Sequence, residues 1–155
     1  MSRAEWLRRA VRLAMESVET GGGPFGALVV RGNEVVASGT NRVRAWRDPT
    51  AHAEIVAIRD ACVKLGSHQL EGCVIYASSE PCPMCLGAIY WARPEAVYFA
   101  NDRREAASAG FDDAFIYEEL GTRAAFRHIR MQRVEMPDAD EPFRLWRELP
   151  AREGY

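Results

Sequence analysis

The chain has 155 residues, 20 of them Lys or Arg and 22 Asp or Glu, for a net charge of -2, with 48% hydrophobic and 27% charged residues. That balance describes one soluble globular domain: it is too apolar for disorder, and a chain of this length buries roughly 68–70% of the surface its unfolded form exposes, with no need of a disulfide framework. The apolar runs, such as residues 26–30 and 55–58, fall far short of the ~20 residues a membrane span requires. Arg3, Glu5, Arg8, Arg9 and Arg12 interrupt the N-terminal stretch where a secretory signal would be continuous, so the expected location is cytoplasmic. The arginines are scattered and balanced by acids, which disfavours a long phosphate backbone as partner and favours a small, weakly charged one.

Ser2 followed by Glu5 forms a capping box, and Leu7, Val11, Ala14 and Val18 recur at helical spacing up to Gly21, predicting a first amphipathic helix. Residues 26–30 and 35–39 are short apolar runs around a polar turn and read as a hairpin. Asp48 or Thr50 is expected to cap the next helix, with Pro49 in its opening turn and Ile55, Ile58, Cys62 and Leu65 on its buried face up to Gly66. His52 and Glu54 then fall in or near its first turn. Residues 73–78 read as a buried strand, 82–92 as a helix stopped near Pro94, and 96–100 as a strand, a β-α-β unit whose strands should run parallel. An Ala-rich stretch, the sequence Gly110-Phe111-Asp112-Asp113 and a helix through Glu119 follow. Residues 128–134 are expected to form a last strand, and Phe143, Trp146 and Leu149 give a C-terminal helix one apolar side. The fold class is therefore α/β, a mixed sheet covered by helices on both faces.

Four cysteines remain: Cys62, Cys73, Cys82 and Cys85. Cys62 continues the apolar period of its helix and Cys73 opens an apolar strand, so both read as core. Cys82 and Cys85 differ: two thiols three positions apart at a helix start sit where unpaired amides and the helix dipole stabilise thiolates. That spacing suits zinc, but beside a β-α-β unit it also suits a dithiol redox pair. His52 supplies a third donor from another helix start, with Glu54 close behind. H-x-E followed by P-C-x-x-C is the pattern of zinc nucleobase deaminases, in which the Glu is not a ligand. Three donors leave one tetrahedral position open, which distinguishes a catalytic from a structural site. Glu54 is placed to take a proton from an attacking water and return it to the ring nitrogen and the departing ammonia. A purely structural site would need a fourth donor, and neither His68 nor His128 has ligand spacing.

Ala51-His52-Ala53-Glu54, the run from Glu80 through Pro94, and Ala109 to Asp113 resemble the small bacterial guanine deaminases of the cytidine deaminase superfamily. The resemblance covers nearly the whole chain. It implies a three-layer α/β/α fold with a five-stranded sheet, forming one catalytic domain over residues 1–155. It also implies one zinc per subunit on His52, Cys82 and Cys85, with Glu54 and Asp113 catalytic. Asn41, Ala53, Phe25, Trp91 and the terminal Tyr155 are implied to contact the purine. Asp113 suits the N–H edge of guanine, although Asp112 and Asp113 also suit a helix cap. The family exchanges its C-terminal segment, here about 140–155, between subunits of a homodimer, and Tyr155 would close the partner's site. The expected reaction is guanine to xanthine and ammonia in purine metabolism. Guanosine, ammeline or cytosine are the nearest alternative substrates, and a tRNA adenosine deaminase the remoter one. Ser79 departs from relatives that carry Cys there.

Overall fold

The computed structural model describes residues 1–154; the expectation for Tyr155 lies outside the described residues. Two compact units divide the chain, one spanning residues 1–113 and the other beginning at Ala114.

In the first unit, α1 (Arg3–Glu19) starts at the Ser2 capping box: the Ser2 side chain accepts from the Glu5 amide while Glu5 accepts from the Ser2 amide at 2.6 Å. The hairpin is β1 (Gly26–Arg31) and β2 (Glu34–Thr40), followed by a one-turn helix α2 (Val43–Trp46) too short to leave a periodic signal. Then come α3 (Ala53–Leu65), β3 (Cys73–Ser79), α4 (Pro83–Ala92), β4 (Ala96–Asn101) and α5 (Arg103–Ser108). The strands form one sheet in the order β2-β1-β3-β4, with β1 antiparallel to both neighbours and β3 parallel to β4. The mixed sheet read from the hairpin and the β-α-β unit is what forms.

The two central strands are buried on both faces, so alternate residues feed two cores. Ala27, Val29 and Ile75 pack with Ala53, Ala57 and Ala61 of α3 and Ile89 of α4; Leu28, Val30 and Tyr76 pack with Trp6 of α1. Two glycines set how closely the helices approach. A Cβ on Gly26 would stand 2.4 Å from the Ala10 carbonyl oxygen, and one on Gly39 would stand 2.2 Å from that of Ala53. This close seating turns α1 so that Trp6, Ala10, Ala14 and Ser17 are its buried residues, while Val18 is 53% exposed. Ala10 and Ala14 hold the middle of the contact face because they let the backbones approach at Gly26, while Trp6 and Leu7 fill the core to one side.

Among the described residues the sheet has four strands, not five. Residues 128–134 form no strand; Ile129 is 80% and Val134 72% exposed, and the backbone N–H of His128 donates to the Glu119 carboxylate at 3.0 Å. Alternating apolar residues suit a pleated surface only where an edge and a core receive them, and strand preference is mostly that packing.

The second unit holds α6 (Ala114–Gly121), a single 3₁₀ turn at Ala124–Phe126 and α7 (Glu141–Glu148). The Arg127 guanidinium donates to the Glu119 and Thr122 carbonyls at 2.9 and 3.0 Å, tying off the end of α6. None of its described residues is buried. No helix among the described residues is long and apolar enough to cross a membrane.

Candidate metal centre

Two helix starts meet at the candidate site. His52 is the N-cap of α3, where either Asp48 or Thr50 was expected, and its side chain makes no capping bond. Asp48 and Thr50 instead build the turn before it: the Thr50 amide and hydroxyl donate to Asp48 Oδ1 at 2.8 and 2.7 Å. Arg59, two turns along α3, reaches back to Asp48 at 3.3 Å and to Thr50 at 3.2 Å, fixing the loop that presents His52. Leaving the cap unmade costs the helix start something on the order of 1 kcal/mol, and it frees the imidazole for another partner.

Cys82 is the N-cap of α4, followed by Pro83 in the first turn, and its sulfur accepts from the Cys85 amide at 3.5 Å. His52 Nδ1 stands 3.5 Å from Cys82 Sγ and 3.5 Å from Cys85 Sγ. Donors at zinc's usual bond lengths in a tetrahedron have nitrogen and sulfur about 3.5 Å apart, so the three side chains already hold the ion's spacing. They are the group among the described residues whose ligand atoms lie within 4.8 Å of one another, and they fit one zinc per chain.

The electrostatics agree with a site built for a cation. Hydrogen bonding from Cys85, with help from His52, holds the Cys82 thiol down at about 4 against the pull of burial. The same shared hydrogen bond and burial push Cys85 upward, so the pair carries one thiolate and one proton. His52 is raised, chiefly by its hydrogen bond to Cys82. Glu54 is 8% exposed and its carboxyl is raised chiefly by burial and further by the charge of Cys82, against a hydrogen bond from its own backbone and the charge of His52.

The remaining predicted residues are distributed unevenly. Asp113 is half-buried; burial raises its carboxyl, and so does the charge of Cys82. Asn41 follows β2; its backbone N–H donates to the Phe25 carbonyl at 3.2 Å and its side-chain Oδ1 accepts from the Val43 backbone N–H at 3.3 Å. Gly23 lies flat against it, since a Cβ there would stand 3.0 Å from Asn41 Cγ. Ala53 is buried beside His52, and Phe25 packs on the core cluster that contains Ala53. Trp91 lies near the far end of α4, two turns from Cys85, and is 61% exposed. Cys73 is fully buried and Cys62 packs at the margin of the same core, as their apolar periodicity indicated. Ser79 is buried, with its hydroxyl unpartnered. His68 is exposed, and exposed His128 pairs with Glu119 at 2.8 Å. Sequence reasoning passed over Phe111, whose ring meets Phe25 edge to face with centroids 5.0 Å apart. Its only signal was its place beside Asp112 and Asp113.

With two helix N-termini converging on a His/Cys/Cys donor set and a buried glutamate, the chain belongs to the family defined by the cytidine and deoxycytidylate deaminase zinc-binding region, whose family model matches residues 1–101. It is 50% identical to the guanine deaminase of Bacillus subtilis (strain 168) over the whole of both chains. The solved structure of a Bacillus subtilis guanine deaminase superposes with a TM-score of 0.98, covering 100% of this chain and 99% of that one. The guanine deaminase of Nitrosomonas europaea is 33% identical with a TM-score of 0.67, over 70% of this chain and 63% of that one. A tRNA-specific adenosine deaminase of Aquifex aeolicus (strain VF5) is 41% identical over 64% of this chain and 66% of its own length.

Proposed function

We propose that this chain is a zinc-dependent aminohydrolase that converts guanine to xanthine and ammonia. The observation that carries the reading is the 3.5 Å spacing of His52 Nδ1 from both sulfurs, beside a buried Glu54, in a chain 50% identical along its full length to a guanine deaminase. When bound, zinc supplies an acidified water and a positive charge at the carbon that bears the amino group.

The protein's own residues do the rest. Glu54 takes one proton from the attacking water and hands it to the ring nitrogen, which keeps it; it then carries the remaining proton of the new hydroxyl to the departing amine, so that a carbonyl forms as ammonia leaves. A carboxyl raised by burial suits both halves of that cycle, because its two protonation states lie closer in energy near neutral pH. Asp113 accepts from the N–H groups of guanine, and Asn41 holds the purine with it. An adenine presented to such a carboxylate would leave buried polar groups unpaired. Phe25 and Trp91 are assigned to the faces of the base and Ala53 to its edge.

The chain acts as a homodimer that exchanges its C-terminal segment, about 140–155, with Tyr155 closing the site of the neighbouring subunit. Supporting this, residues 114–154 bury no side chain of their own while Phe143, Trp146 and Ile129 stand exposed. Apolar surface of that kind needs a covering surface. The enzyme works in the cytoplasm on a free purine base.

Ammonia release from guanine, guanosine, adenine, cytosine and ammeline tests the substrate. Turnover of guanine above the others is expected; turnover of cytosine or adenine without guanine refutes the assignment. Light scattering should give a dimer, and removal of Tyr155 should lower activity while the dimer persists.

A further inference from the structure

Phe111 has a ring contact that its place after a helix end does not require. After α5 ends at Ser108, Gly110 turns the chain at φ +93°, and the Phe111 amide donates back to the Ala106 carbonyl at 3.0 Å. Its ring then meets Phe25 with planes 89° apart, the edge-to-face arrangement that ring quadrupoles favour. Phe25 is itself seated on the core cluster that contains Ala53 and Ile89, from the two helices whose starts carry the metal donors. The loop is therefore pinned to the same body as the site. Phe111 keeps 45% of its surface exposed, so burial alone is a poor account of why a large ring is held there.

Asp113 follows two residues later, within about 7 Å of chain. Residues 111–113 connect α5 to α6 and belong to no helix or strand. We propose that Phe111 is a positioning residue for Asp113: its ring, clamped on Phe25, fixes the loop so that the carboxylate faces the purine. This rests on the reading of Asp113 as the acceptor for guanine. Without the clamp the loop pivots at Gly110, and the carboxylate visits its working position only part of the time, which weakens purine binding in proportion to the lost population.

The experiment compares wild type with Phe111→Ala, Phe111→Tyr, Asp113→Asn and the double variant Phe111→Ala/Asp113→Asn. It uses steady-state kinetics on guanine, calorimetric affinity for xanthine, which requires no turnover, and zinc content. Phe111→Ala should lower kcat/KM about tenfold or more, chiefly through KM, and weaken xanthine to match, as misplacement of a binding group does. Phe111→Tyr, which keeps the ring, should recover most of the loss, and zinc content should not change. In the Asp113→Asn background, adding Phe111→Ala should cost almost nothing further, since coupled residues are not additive. Additive losses in xanthine affinity, unchanged kinetics for Phe111→Ala, or a loss of zinc that accounts for the defect would each overturn the assignment. A wild-type enzyme that fails to turn over guanine overturns the proposed reaction, and this assignment with it, an outcome distinct from additivity in an active enzyme.

Discussion

Gly39→Ala places a single methyl group between β2 and the first turn of α3. The new Cβ would stand 2.2 Å from the Ala53 carbonyl oxygen, 2.7 Å from the Ala57 amide nitrogen and 3.1 Å from Val56 Cβ, whereas ordinary contact begins at 3.4 Å. The nearest atoms are backbone, so no side chain can swing aside, and the start of α3 must retreat by about 1 Å. Overpacking of this kind costs roughly 1–3 kcal/mol, which for a chain of this size is about 2–12 °C in Tm. The retreat is not neutral for the site. His52 caps that same helix end and must keep its 3.5 Å spacing to sulfurs carried by α4. A 1 Å misplacement of a working group costs on the order of 10²-fold in rate. Thermal unfolding, zinc content and ammonia release from guanine, measured side by side, should show a lower Tm, weaker retention of zinc under a chelator and turnover reduced about a hundredfold. A variant with wild-type Tm and wild-type turnover would refute the claim that this glycine seats the metal-bearing helix.

Glu54→Gln should retain zinc and lower turnover by at least ~10²-fold, the usual contribution of a proton shuttle; turnover within a few-fold of wild type removes Glu54 from the mechanism. Because burial raises the folded-state pKa of Glu54, its contribution to stability is present below the unfolded carboxyl value and lost as pH rises through the folded one. Metal-free Glu54→Gln should accordingly melt above the metal-free wild type at neutral pH, as calorimetry can test, and a lower melting point contradicts the sign. Cys85 keeps its proton in the metal-free protein and His52 is raised above 6.5, so zinc uptake must displace protons and tighten as pH rises. Calorimetric titration in buffers of different ionisation enthalpy should report a release of about one to two protons per zinc, and zero release contradicts that protonation scheme. Leu70 is fully buried in the larger core, so Leu70→Ala should cost about 2–5 kcal/mol in denaturant unfolding.

Much of the first unit was legible along the chain because its signals are local. The Ser2 capping box, the polar turn between β1 and β2, Gly66 at the end of α3 and Pro83 opening α4 each act within a few residues. The donor set was legible for the same reason: H-x-E and P-C-x-x-C are short patterns whose chemistry follows from residue type and helix position. A one-turn α2 had no period to read, and the expected caps Asp48 and Thr50 lost to His52, since both are engaged with each other in the preceding turn.

Other features depend on groups far apart in the chain. His52 lies 30 and 33 residues from the sulfurs it meets, and Phe25 lies 86 positions before the ring it clamps. The choice of Trp6, Ala10 and Ala14 as the buried face of α1 depends on Gly26 lying beneath them. The absence of a fifth strand has the same origin, because the period of residues 128–134 records what a strand would bury but not whether an edge is there to pair with it. Capping, turns and periodicity are free energies of neighbouring residues, and these the linear order of side chains contains. Close approach, edge pairing and the meeting of two helix ends are free energies of the packed state, and they exist only once the sheet has brought those segments together.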